Sequence, residues 1–302
     1  MNRRGRPAVP RPNTLPIAGL ARLAPIGLGL AFGLWYVLTA PRHPDAPLWP
    51  VWMVLTIALT TTAGVVFAYG LNRWVELLGY HTVRVRDVIA RPATILTVTL
   101  LVILAGILRG PVPGTWHGVA LYTVVLLGGV PAVGVTEGVR HATNMSLLGT
   151  RGEQIAVLIR LRQLLQRLLA AAGSLVALWT LALGAGAAML RSLPAGSGHS
   201  GVTQAPPEVV LVLGGVGSLL VALFYVPAAA ALQRRGRSLC DELFPLTEAE
   251  EASAILSVAE DRHKLEQLLG MDRGVFADLQ TGLVILGPLL AGAAAAFLSP
   301  NA

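Results

Sequence analysis

The sequence contains one cysteine, Cys240, and one lysine, Lys264. A single cysteine cannot close an intramolecular disulfide, and no CxxC or Cys/His metal spacing occurs. Charge is scarce as well. Only 13% of the 302 residues are charged, against about a quarter in an ordinary soluble domain. That is too little polar surface to coat a globule of this length. The apolar excess, with 54% of residues hydrophobic, must face something other than water.

The scarcity of charge is sharpest inside seven apolar runs, 24–40, 48–71, 92–108, 118–136, 168–190, 209–232 and 279–298. Each reaches or approaches the roughly 20 residues that cross the hydrocarbon core of a bilayer. Their cores hold no Asp, Glu, Lys, Arg or His. Ionisable groups at membrane depth mark proton relays, coupling sites and counter-ions. Their absence argues against a proton-coupled antiporter, a pump or a retinal protein, and the one lysine lies outside every run.

Catalytic patterns are missing too. There is no H-E-x-x-H, no D-x-x-D, and no serine beside a histidine within a run. Cys240 with His263 is a conceivable dyad, but a lone cysteine near a membrane interface is usually inert packing. The segment "GSGHSG" matches G-x-G-x-x-G through Gly196, Gly198 and Gly201. It joins two apolar runs rather than a strand and a helix, so it predicts no nucleotide site. The chain is expected to be no enzyme, with no catalytic residue, no metal site and no cofactor.

What the sequence has in quantity is arginine, and the arginines are unevenly placed. Of the 23 basic residues, 20 fall in the segments that are cytoplasmic if the N-terminus is inside; only Arg42, Arg109 and Arg191 fall outside. Positive charge retained on the cytoplasmic side sets membrane topology. Trp35, Trp49, Trp52 and Trp116 fall at the opposite ends of their runs, as an interfacial aromatic belt would. Basic residues before the first run resemble a signal peptide, but its cleavage site is poor and the run is expected to stay as an anchor.

The fold class expected is therefore all-α: a polytopic integral membrane protein of about seven transmembrane helices, N-terminus cytoplasmic, with cytoplasmic helical extensions. Residues 1–23 form a basic tail. Residues 24–136 hold the first four spans, and 137–167 form an amphipathic segment continuing into span five. Residues 168–232 hold spans five and six, 233–278 a cytoplasmic helical insert, and 279–302 the last span and tail. Val157, Leu161, Leu164, Leu168, Ala171, Leu175 and Leu178 repeat at alternating spacings of four and three, an apolar seam along one helix. Its partner is either another helix of the same chain or another subunit. In the insert, Thr247 and Glu250 form a capping box and Gly270 offers a stop, and the acids of this helix are expected to face arginines.

Three further sets of residues bear on function. Arg151, Arg160, Arg162, Arg234, Arg235 and Arg237 are candidate contacts for an anion at the cytoplasmic face: a nucleotide, a nucleic acid or an anionic lipid. Thr60, Thr61, Thr62, Thr97 and Ser218 are candidate lining for a pore or solute path, against the alternative that their hydroxyls bond their own helix backbone. Pro131, Pro227 and Pro288 interrupt their runs and allow bends. Gly29-x-x-x-Gly33 and Gly134-x-x-x-Gly138 have the close-packing spacing of membrane helices.

These features favour an oligomeric channel or pore-forming effector of the bacterial inner membrane, gated at its basic cytoplasmic face. Its expected partners are the lipid bilayer, further copies of itself and that anionic ligand. Two alternatives remain. One is a carrier or exporter for a small apolar or weakly polar solute. The other is a membrane anchor or assembly subunit that binds a soluble partner through residues 233–278.

Overall fold

The computed structural model describes residues 16–40, 46, 48–80, 93–94, 96–97, 100–101, 104, 116–144, 150–191, 207–245 and 252–270. These residues form six helices and no strands: α1 (Pro16–Thr39), α2 (Trp49–Tyr80), α3 (Trp116–Asn144), α4 (Arg151–Arg191), α5 (Pro207–Leu243) and α6 (Ala252–Leu268). Ala93, Thr94, Leu96, Thr97, Leu100, Leu101 and Leu104 are also helical. Among the described residues, four helices are long and apolar enough to cross a membrane: α2, α3, α4 and α5. The apolar part of α1, Leu23–Thr39, is shorter. The tail before Pro16, the glycine-rich segment near Gly198, the Thr247/Glu250 capping box and the last run 279–298 lie outside the described residues.

Contacts along the helices give their relative directions. Gly29 of α1 lies against Thr60 of α2, and Gly64 of α2 lies against Pro25, so α1 and α2 are antiparallel. The α1–α2 crossing is backbone on backbone. A Cβ on Gly29 would fall on the Thr60 carbonyl oxygen, and one on Gly64 would fall on that of Pro25. The glycine pair expected to drive close packing thus finds its partner within the chain. Between α2 and α3 the register runs the other way: Gly128 meets Ala63, Gly134 meets the Trp74 ring, and Gly138 meets Leu77. These two helices are parallel. Helices α4 and α5 are antiparallel, with Gly217 packed on Val176 and Trp179.

Helix α4 is longer than any span. At 41 residues it measures about 60 Å, twice the hydrocarbon thickness. Its N-terminus carries a capping box that the apolar periodicity does not reveal. The Glu153 carboxylate accepts from the Thr150 backbone N–H (2.9 Å), and the Thr150 hydroxyl accepts from the Glu153 N–H (3.4 Å). No proline interrupts the helix, so its charged first half and apolar second half form one rod.

Helix α5 behaves likewise. The sequence places the end of span six at Leu232, with Arg234, Arg235 and Arg237 as the stop. The helix itself does not end there but runs on through all three to Leu243. The physical reason is an apolar stripe that continues past them: Tyr225, Ala228, Leu232, Leu239 and Cys240 are all buried. This stripe packs on Leu158, Leu161, Leu165, Leu168 and Leu169 of α4. The heptad-like seam of α4 is therefore covered by α5 of the same chain, and the intersubunit alternative loses that support. Its register is also shifted. Leu158 and Leu165 are fully buried, whereas Val157, Leu164 and Ala171 flank the core half-buried. Leu165→Ala should accordingly cost about 3 kcal/mol and Leu164→Ala about 1 kcal/mol, read from unfolding by added SDS in mild detergent. Equal costs would contradict this register.

Two apolar cores run along the bundle. One joins the α4–α5 seam to Val66, Val135 and Val139; the other gathers Tyr36, Leu59, Leu121, Leu175 and Trp179. The rest of the apolar surface is turned outward: Leu28, Leu38, Val54, Leu219 and Leu223 are all more than half exposed. Such a surface suits hydrocarbon and would be costly in water. At one end of the bundle Trp49 stacks on Trp52 (5.1 Å), and Tyr36 and Gly186 approach Trp52. Arg151, Arg160 and Arg162 of α4 lie toward the other end, where Arg151 and Arg235 meet Glu242 of α5.

Candidate functional site

Two regions concentrate the polar or cavity-forming chemistry of the described residues. The first is the charged end of α4 and α5, where α6 docks. Arg151 pairs with Glu242 across the two helices, and Arg235 approaches the same carboxylate at 3.9 Å. A guanidinium N–H of Arg162 donates to the backbone carbonyl of Leu269. That carbonyl is left open by the end of α6, where Gly270 adopts φ +63°, a left-handed conformation natural to glycine. The expected stop at Gly270 thus coincides with the arginine contact.

The acids of α6 do not face the arginines of α4 as expected. Glu260 and Asp261 pair with Lys264 on their own helix, at 2.9 and 3.5 Å. Lys264, chiefly by its hydrogen bond, holds the Glu260 carboxyl below its ordinary range. The interhelix pair has the opposite polarity: Arg262 of α6 binds Asp241 of α5 at 2.8 Å, and also Glu266 of its own helix at 2.9 Å. Apolar packing does the rest, with Leu265 and buried Leu269 set on the α4–α5 core beside Cys240. Cys240 is fully buried, which suits packing rather than nucleophilic attack.

The six candidate anion contacts therefore divide. Arg151, Arg162 and Arg235 are engaged in holding the helices together. Arg160, Arg234 and Arg237 are exposed, with no ion pair among the described residues. Glu248, Glu250 and Glu251, the other acids near these arginines in sequence, lie outside the described residues.

The candidate path residues are not brought together. Thr60 is buried in the α1–α2 crossing, its hydroxyl donating to the Thr56 and Ile57 carbonyls at 3.2 and 3.1 Å. Thr61 donates to the Ile57 carbonyl at 2.7 Å. Thr62 is half-buried and Thr97 exposed, while the buried Ser218 hydroxyl meets no acceptor among the described residues. With their protons bonded to their own helix, Thr60 and Thr61 have no free donor to offer water. Pro131 and Pro227 sit inside α3 and α5, which continue on both sides of them; Pro288 lies outside the described residues.

The second region was not visible in the sequence. A cleft of about 150 Å³ lies between α3, α4 and α5, touched also by Leu96. Tyr122, Trp179 and Gly217 line one end; Thr136, Leu168 and Tyr225 line the other. The walls between are mostly aliphatic, and no charged side chain is among the described lining residues. The Tyr122 ring meets Trp179 edge-on at 5.8 Å. Thr136 donates its hydroxyl to the Val133 carbonyl at 2.8 Å, so it presents no free donor to the cleft. Gly129 borders open space: an added Cβ there would meet no atom within 4 Å. The only sequence hint was the placement of Gly129 and Gly217 in otherwise bulky runs.

The fold defines a class: an all-helical chain, over its described residues, with several helices apolar enough to cross a bilayer and an apolar cleft among three of them. Comparison with family models, with curated proteins and with solved structures finds no match.

Proposed function

We propose that this chain is a seven-span protein of the bacterial inner membrane, with a cytoplasmic N-terminus, that carries a small apolar or weakly polar solute without covalent chemistry. The apolar cleft between α3, α4 and α5 is the observation that carries the reading, because a carrier needs a solute site among its apolar helices. Both interior prolines of the flanking helices lie beside it, Pro131 between the lining residues Gly129 and Ala132, and Pro227 two residues past Tyr225. An interior proline removes a backbone hydrogen bond and gives a helix a place to pivot.

The number of spans draws support from helix direction. Since α2 and α3 are parallel, Tyr80 and Trp116 lie toward opposite ends of the bundle, as a span between them requires. The first, third and last spans rest otherwise on the hydropathy of their runs, and the orientation on the arginine distribution. The self-bonded threonines are why a carrier is preferred here to a water-filled channel.

A second reading keeps some support. The exposed Arg160, Arg234 and Arg237 suit an anion at the cytoplasmic face. One experiment separates the two. Purified protein in liposomes is expected to show saturable uptake of an apolar solute from a labelled panel, at least five-fold reduced by Gly129→Leu, and no ion flux. Ion flux switched on by nucleotide, nucleic acid or anionic lipid, with no saturable uptake, would restore the gated channel and remove the carrier.

A further inference from the structure

Resting on that reading, we propose that the cleft between α3, α4 and α5 takes a neutral ligand with one linear aliphatic chain, whose single acceptor oxygen receives the indole N–H of Trp179.

Shape argues for a chain. Tyr122 and Thr136 are fourteen residues apart on α3, and at 1.5 Å per residue the cleft follows that helix for about 20 Å. Following one helix for that length between two others, the cleft is elongated rather than round, a shape that a chain can follow from end to end. A compact ring would fill only part of it. The apolar walls and the absence of a charged lining residue among those described exclude an ion, which would lose its hydration with nothing to replace it.

Polarity places the ligand's one oxygen. Trp179 is 7% exposed, and its buried Nε1–H meets no acceptor among the described residues. A donor left unpaired in an apolar interior costs free energy that an incoming carbonyl or ether oxygen recovers. Trp179 lies at the Tyr122 and Gly217 end. The oxygen therefore belongs there, with the chain running toward Leu168 and Tyr225.

The test uses the full-length protein in lipid nanodiscs and methyl esters of a long-chain fatty acid that carry a photoreactive diazirine. One probe has the diazirine near the carbonyl, the other near the chain end. After illumination, peptide mass spectrometry is expected to find the first probe on Val125 and Val176, and the second on Ala132 and Leu168. Gly129→Leu should lower labelling of these residues at least five-fold. Ala172→Phe, which enters the cleft from the facing helix, should do the same and guards against a folding effect of either variant. Trp179→Phe should keep the total labelling but erase the difference in position between the probes.

Labelling that is unchanged in both filled variants, or that falls only on outward-facing residues such as Leu219 and Leu223, would overturn the proposal. Position-dependent labelling without transport would leave this site standing and remove the carrier reading. Transport of an apolar solute with no cleft labelling would remove this ligand class and leave the carrier.

Discussion

Gly64→Leu is expected to separate α1 from α2 and cost at least ~3 kcal/mol, at the upper end of overpacking penalties. The reason is the nature of the neighbours. A Cβ on Gly64 would strike the Pro25 carbonyl oxygen and lie 3.1 Å from the Ile26 Cα. Neither atom can turn aside as a flexible side chain would. The helices must move apart, losing the burial of Thr60 and the close approach of Gly33 to Ile57 along the same crossing. Gly27→Leu is the control. It lies on α1 only two residues from Gly29, and an added Cβ there meets nothing within 4 Å. Its substitution should change stability by less than about 0.5 kcal/mol. Unfolding by SDS in mild detergent reads both. Equal stability of the two variants would refute the backbone-level crossing.

The second large effect concerns Cys240. As the chain's one cysteine and fully buried, it reports on the docking of α6 without engineering. Maleimide should label it slowly in the native protein. Leu269→Ala removes a buried side chain from the same core and should weaken docking by about 2 kcal/mol. At 1.4 kcal/mol per factor of ten, labelling through the undocked state should then rise roughly 30-fold. Leu268→Ala, next to it but exposed, should leave the rate nearly unchanged. Arg262→Gln breaks ion pairs that are partly open to solvent, and such pairs contribute about 1 kcal/mol or less, so its effect should stay below roughly five-fold. Fast labelling of the native protein would show that α6 does not shield the thiol.

Much of this architecture was legible from periodicity and charge. Apolar runs became helices because a chain with 13% charged residues has few other ways to satisfy its backbone in hydrocarbon. The continuity of α4 through Arg167 was legible because no Gly or Pro intervenes between Gly152 and the apolar half of the helix. Gly270 was legible as a stop. The continuation of α5 was missed because three arginines in four positions look like a boundary. The regularly spaced Ala228, Leu232 and Leu239, on the face opposite Arg237 and with half-buried Arg235 beside them, carry the seam onward.

Composition and the spacing of apolar residues were enough to decide that this chain is helical and in large part suited to hydrocarbon, since both depend on local chemistry. Pairing was beyond their reach. An arginine reads the same whether it holds Glu242, as Arg151 does, or stands exposed, as Arg234 does. A threonine reads the same whether its hydroxyl lines a path or bonds its own helix, as those of Thr60 and Thr61 do. The cleft beside Trp179 belongs to no segment at all. It exists where three separate helices meet, with a small residue, Gly129, bordering open space that bulk would have filled.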